Sequence, residues 1–228
     1  MIISEIFQSV QGEGLLTGTP SVFVRTSGCN LRCWFCDTPY TSWRAEGRSL
    51  GVDEMIARVR RFDVRHVVLT GGEPLLQAES VQLCETLHAE GLHITVETAG
   101  TCFLHVACDL MSISPKLAGS TPSTEQAGWW RERHEQRRHA PDVVRRLIAE
   151  HPYQIKFVID RPDDLEEVAA YLGEVHQIDR HRVWLMPQGT EPRGLQQIAS
   201  WLQDYCAENG FRFCPRRQIE WFGLARAT

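Results

Sequence analysis

No apolar run in this chain approaches the roughly 20 residues that a bilayer-spanning helix requires. Residues 1–11 lack a basic start followed by a long apolar segment, so no secretory leader is read there. These two absences lead us to expect a cytoplasmic protein with no membrane partner. Positive charge is also in deficit: 24 Lys and Arg stand against 29 Asp and Glu, a formal net charge of −5. With no long basic run, a nucleic-acid partner is not expected. The one short basic stretch, residues 131–146, mixes Arg and His with Glu132, Glu135 and Asp142. That mixture suits a solvated helix face better than a phosphate-binding patch. Internal repeats and low-complexity segments are absent as well. What remains is a chain of 228 residues, 43% hydrophobic and 23% charged. This balance fits a single domain over 1–228 with a sizeable core.

Short apolar runs alternate with amphipathic stretches. Strands are read over 21–26, 66–69, 93–96, 110–113, 154–159, 183–186 and 212–214, and helices over 52–62, 79–89, 163–172 and 195–208. Strand–helix alternation predicts an α/β fold with a parallel sheet, and about six such units curl into a partial, open βα barrel. Polar residues then collect at the C-terminal ends of strands, where barrel enzymes assemble their sites. Cys29 follows the first strand read, residues 70–73 the second, Glu97 the third and residues 114–116 the fourth, with 186–189 near the last. Residues 118–152, polar and rich in Trp and Arg, read as a helical insertion.

Of eight cysteines, three stand as Cys-x-x-x-Cys-x-x-Cys at Cys29, Cys33 and Cys36. Such clustering in a chain without an export signal points to metal. Three thiolates on one tight loop can each take a different iron of a 4Fe-4S cluster, leaving the fourth iron open to a small chelating molecule. A structural zinc site wants a fourth ligand from elsewhere, such as a His. A redox pair of Cys33 and Cys36 leaves Cys29 without a role. An electron-transfer ferredoxin wants a fourth nearby cysteine, and none follows. Cys84, Cys102, Cys108, Cys206 and Cys214 are scattered and read as small buried hydrophobes.

The triplet, with Phe35 before its last cysteine, and the turn Thr70-Gly71-Gly72-Glu73-Pro74 resemble the radical S-adenosylmethionine (SAM) superfamily. The resemblance implies that the open iron is chelated by the amino and carboxylate groups of SAM. Gly71 and Gly72 let backbone approach the methionine moiety, and Glu73 is expected to pair with its ammonium. The opening stretch 5–14, Phe23-Val24-Arg25, Cys36-Asp37-Thr38, Glu97-Thr98-Ala99-Gly100, Ser114-Pro115-Lys116 and Met186-Pro187-Gln188-Gly189 narrow the likeness. Together they resemble the 7-carboxy-7-deazaguanine synthase family of queuosine and 7-deazapurine biosynthesis.

That family resemblance implies a lyase. A 5′-deoxyadenosyl radical from SAM removes a hydrogen from 6-carboxy-5,6,7,8-tetrahydropterin, the ring contracts and ammonia leaves, with Mg2+ assisting. It implies SAM contacts from Phe35, Cys36, Asp37, Gly72, Glu73, Ser114, Pro115, Lys116, Met186, Pro187, Gln188 and Gly189. It implies Mg2+ on the Thr38 hydroxyl and substrate contacts from Val10, Gln11, Gly12, Glu13, Arg25, Thr70 and Glu97. A flavodoxin- or ferredoxin-type electron donor and a homodimer are implied too.

Several of these residues carry a physical reading of their own. Gln11 and Glu13, in a Gly-rich turn, complement the amide and guanidine-like edge of a pterin, although such a turn can also be merely polar. Arg25 lies in an apolar strand and needs a partner, either a substrate carboxylate or a nearby Asp or Glu. Glu97 contacts substrate or SAM, or is half of a structural pair. Near the C-terminus the chain reads Cys214-Pro215-Arg216-Arg217-Gln218. Gln218 stands where a His is expected, and a Gln neither charges nor titrates. Two alternatives belong to other classes: a glycyl-radical enzyme activase and a non-catalytic iron–sulfur or zinc protein.

Overall fold

A computed structural model describes residues 1–176 and 178–228. Its centre is a run of parallel strands: β2 (Pro20–Thr26), β4 (His66–Gly71), β5 (His93–Thr98), β6 (Leu110–Ile113), β7 (Tyr153–Ile159), β8 (Val183–Pro187) and β9 (Arg212–Phe213). Each pairs in parallel with the next. Two further strands, β1 (Ile2–Val10) and β3 (Arg48–Ser49), extend the β2 edge antiparallel. The order β3-β1-β2-β4-β5-β6-β7-β8-β9 leaves two free edges, so the sheet is an open barrel.

Strand β1 was not among the expected strands. A register irregularity between Ile3 and Glu5 breaks its two-residue alternation, which hides it from a periodicity reading.

The helices follow the strands. They are α1 (Val52–Val59), α2 (Glu79–Ala89), α3 (Thr124–Ala127), α4 (Trp130–Arg138), α5 (Pro141–Glu150), α6 (Asp164–Val175), α7 (Pro192–Asn209) and α8 (Arg217–Phe222). Three of them, α3 to α5, fall within 118–152. Val144 and Leu147 of α5 are fully buried in the main core, so this helix also covers the sheet between β6 and β7.

Side chains alternate between strand faces, and here each face has its own task. Val22 and Val24, Val67 and Leu69, Ile94 and Val96, Met111 and Ile113, Ile155, Phe157 and Ile159, and Val183 and Leu185 all enter the core. Their neighbours on the other face, Arg25, Thr70, Glu97, Ser112, Lys156 and Met186, line a cavity. The apolar half of each strand therefore fixes its register, and that register delivers the polar half to the site.

Candidate active site

The cavity measures about 320 Å3, within the range of small-molecule sites. It is bounded by the cysteine loop after β2, by the C-terminal ends of the strands, and by the turn after β1. The chain's last segment, from Arg216 onward, closes the remaining side.

Cys29, Cys33 and Cys36 all line it, and all are free thiols. Cys29 Sγ accepts the Leu31 N–H at 3.4 Å, and Cys36 Sγ lies 3.3 Å from Ser42 Oγ. Burial pushes the Cys29 and Cys33 thiols up to about 12. Arg32 beside Cys29 and Lys116 beside Cys33 oppose that rise and are outweighed by burial, so a bound metal would favour the thiolates further. Among the described residues, no three His, Cys, Asp or Glu side chains gather closely enough for one metal ion. Three thiolates on one loop suit a cubane, in which each takes a separate iron. The loop is braced by the helical stretch beyond β6. Arg32 N–H donates to His134 Nδ1 at 3.1 Å, Trp34 Nε1–H donates to the Gly119 carbonyl at 2.7 Å, and the Arg32 guanidinium lies over the Trp130 ring.

Gly71 and Gly72 lie against this loop. A side chain on Gly71 would collide with the Thr26 carbonyl and one on Gly72 with the Gly28 carbonyl, so only glycine permits the approach. Glu73 closes the same turn. Its carboxylate is fully buried beneath the cavity, where it accepts from Thr98 Oγ1 and Ala99 N–H at 2.8 Å and from Leu75 N–H at 3.1 Å. These three donors make it the pin of the loop. Phe35, Asp37, Ser114, Lys116, Met186 and Gln188 line the cavity. Pro115 instead faces a small separate cleft, Pro187 is buried, and Gly189 turns its carbonyl to Arg216 Nη1 at 2.7 Å.

On the other wall the structure gathers Val10, Gln11, Gly12, Glu13, Arg25, Thr38, Thr70 and Glu97. Gln11 spends its side-chain N–H on Ser21 Oγ at 2.9 Å, so it stiffens the turn. Arg25 has a carboxylate partner within the chain: its Nε–H donates to Glu5 at 3.1 Å. Its terminal nitrogens make no hydrogen bond to another described residue. Thr70 Oγ1 donates to Glu97 at 2.8 Å.

Two residues that the sequence reading left unassigned hold this wall together. Lys156, on β7, lies with Nζ 3.0 Å from Glu13 and 3.0 Å from Glu97. Arg216 donates to Asp37 at 2.5 Å and stands 3.5 Å from Glu13. Burial alone would raise the Glu13 carboxyl, but Lys156 and Arg216 outweigh it and bring it down to about 2. Burial alone would lower the Lys156 ammonium, yet Glu97 and Glu13 hold it well above the usual lysine range. Gln218 occupies the place of the expected His, and its Nε2–H donates to Glu13 at 2.5 Å. A signal for Lys156 was present: a lone charge in the apolar run Ile155-Lys156-Phe157 is the same kind of cue that singled out Arg25.

The tail beyond α8 also lines the cavity through Gly223, Leu224, Ala225 and Thr228. Arg226 pins it, pairing with Glu5 at 3.0 Å and Glu46 at 3.1 Å and stacking over Tyr40.

The radical SAM superfamily model matches residues 23–150. A 7-carboxy-7-deazaguanine synthase of Rhodopirellula baltica is 45% identical, over 100% of this chain and 89% of its own length. This chain belongs to the 7-carboxy-7-deazaguanine synthase family. A second member, from Halobacterium salinarum, is 44% identical over 99% of this chain and 92% of its own. The crystal structure of QueE from Escherichia coli shares the fold, with a TM-score of 0.71 and 23% identity over 95% of this chain and 93% of that one. A radical SAM synthase of this family uses a 4Fe-4S cluster and SAM, and the three free thiols beside a glycine-lined cavity fit that pair.

Proposed function

We propose that this chain is a radical SAM lyase that converts 6-carboxy-5,6,7,8-tetrahydropterin to 7-carboxy-7-deazaguanine with loss of ammonia. The observation that carries the reading is a single cavity shared by the cysteine triplet and a buried set of carboxylates paired with the Lys156 ammonium and the Arg216 guanidinium. When bound, the cluster and SAM supply the radical chemistry. The chain itself binds, orients and shields.

In this reading Cys29, Cys33 and Cys36 hold the cluster. Phe35, Asp37, Gly72, Ser114, Lys116, Met186 and Gln188 receive SAM, while Glu73, Pro115, Pro187 and Gly189 shape the walls behind it. The free terminal nitrogens of Arg25 form a two-pronged clamp for the substrate carboxylate. Glu13 and Glu97 accept N–H groups of the pterin edge, which the turn of Val10, Gln11 and Gly12 borders, with Thr70 orienting Glu97. The Thr38 hydroxyl offers one hard oxygen to Mg2+, whose remaining ligands are substrate oxygens and water.

The electron comes from a flavodoxin- or ferredoxin-type donor. Trp34, between two cluster cysteines, is 44% exposed, which brings the loop to the surface. We place the enzyme in the cytoplasm, where eight free thiols suit a reducing compartment, and as a homodimer in line with the family resemblance. No helix among the described residues is long and apolar enough to cross a membrane.

A glycyl-radical activase acts on a protein backbone and has no use for the Glu13–Lys156–Glu97 arrangement. The test is anaerobic incubation of the cluster-loaded protein with reductant, SAM and carboxytetrahydropterin. Mass spectrometry is expected to find the deazapurine carboxylate with one ammonia per turnover, and consumption of SAM without that product refutes the assignment.

A further inference from the structure

Lys156 is the one cation on the inward face of β7, and it is 4% exposed. Two residues before it on the same face, Gln154 accepts the Leu15 N–H at 2.8 Å and donates to Ser112 Oγ at 2.9 Å. Strand β7 thus docks the turn after β1 at two points, once through Gln154 and once through the Lys156–Glu13 pair. From the other side, Cys214 Sγ accepts the Gly14 N–H at 3.2 Å, and the Arg217 N–H donates to the Gly12 carbonyl at 3.1 Å. The turn is held rigidly, and so is the carboxylate it carries.

An ammonium has three N–H donors. Lys156 spends one on Glu13 and one on Glu97, and no described residue takes the third. Each carboxylate keeps acceptor capacity as well. Glu13 receives Lys156 and Gln218, with Arg216 3.5 Å away, and Glu97 receives Lys156 and Thr70, whereas a carboxylate has about four lone-pair sites. The wall therefore presents acceptor, donor, acceptor in a row, with the donor shared by the two acceptors. Because Glu97 and Glu13 keep the ammonium charged, the middle position remains a donor at neutral pH.

We propose that Lys156 is a specificity-determining residue whose third N–H donates to the ring carbonyl of the substrate while Glu13 and Glu97 accept the flanking N–H groups. The inference rests on the pterin reading given above. Around the ring carbonyl of a tetrahydropterin the order is N5–H, carbonyl, N3–H, which is the complementary donor, acceptor, donor edge. A heterocycle bearing an amino group in place of that carbonyl would set its own N–H against the ammonium and leave a buried donor unpaired, which is the strongest basis a site has for rejecting an analogue.

The test compares two probes on the cluster- and SAM-loaded protein under anaerobic conditions without reductant, so that neither turns over: 6-carboxy-5,6,7,8-tetrahydropterin, which carries N5–H, the 4-oxo group and N3–H, and its 2,4-diamino analogue, in which ring N3 also lacks its hydrogen. Calorimetric titration gives Kd for each. The wild-type protein is expected to prefer the 4-oxo probe by about 10- to 100-fold, the value of one hydrogen bond from a charged donor. In Lys156→Met the preference should fall by about tenfold or more, because only the N3–H contact to a carboxylate still favours the 4-oxo probe. A purely structural role for Lys156 weakens both probes alike and leaves the ratio intact, so an unchanged ratio in a folded variant with intact visible cluster absorbance overturns the proposal. Should that variant fail to fold, the wild-type comparison still decides, because equal affinities for the two probes also overturn it. Turnover of carboxytetrahydropterin by the same wild-type preparation tests the function separately, so failure of one reading is not mistaken for failure of the other.

Discussion

Replacing Arg25 with methionine removes the proposed carboxylate clamp while keeping most of the side chain's length. The structure supports a numerical expectation. Arg25 is 17% exposed and its partner Glu5 12%, so solvent screens the site only partly. Glu5 engages Nε and leaves the two terminal nitrogens for a bidentate contact. Two charge-assisted hydrogen bonds at the low end of their range sum to about 3 kcal/mol, or roughly 150-fold in Kd. The fold should tolerate the change, because Glu5 keeps Arg226 at 3.0 Å and the Tyr40 hydroxyl at 3.4 Å. Arg25→Lys restores a point charge without the fork and should recover about half of the lost free energy. The assay is equilibrium binding of 6-carboxypterin beside pterin lacking the carboxyl group. Loss confined to the carboxylated probe is the expected result. Equal loss for both probes, or no loss for either, refutes the clamp.

Cys33→Ala should abolish the broad visible absorbance of the reconstituted cluster, whereas Cys84→Ala, remote in sequence and buried in the core, should retain it; iron and sulfide analysis checks both. Arg226→Ala frees the tail from Glu5, Glu46 and Tyr40, and should raise substrate KM a few-fold and speed proteolysis after residue 222, in keeping with the modest worth of exposed pairs. Leu147→Ala empties a fully buried site of α5 and should cost about 2–4 kcal/mol, read as a lower midpoint in urea. Glu13, ordinarily near 4.5 and here about 2, adds stability that is present above its ordinary value and lost as pH falls from there toward 2. Across that window Glu13→Gln should flatten the pH dependence of unfolding by about 3 kcal/mol in the cluster-free chain.

What was legible in the sequence were the features built from neighbouring residues. The parallel strands announced themselves as short apolar runs, and the cysteine triplet is a single loop. The missing parts depend on approach across the chain. Gln218 reaches Glu13 over 205 positions and Arg216 reaches Asp37 over 179, and no spacing rule encodes either contact. Glu73 was placed correctly at its strand end, but the three donors that turn its carboxylate inward come from β5, the residue after it and its own turn. Arg25 was expected to meet either a substrate or an acidic residue, and Glu5 takes one face of it while leaving the other open. Lys156 stood in view as a charge in an apolar strand, and only the packing of β7 against the turn after β1 shows what it faces.

The central claim is that one cavity holds the cluster, SAM and the pterin close enough for direct hydrogen transfer. Turnover of a ring-deuterated carboxytetrahydropterin, followed by mass spectrometry of the adenosyl group of SAM and of any 5′-deoxyadenosine released, tests it most directly. Deuterium is expected in the 5′ position. Product formed from the labelled substrate with no deuterium in either adenosyl species would contradict it.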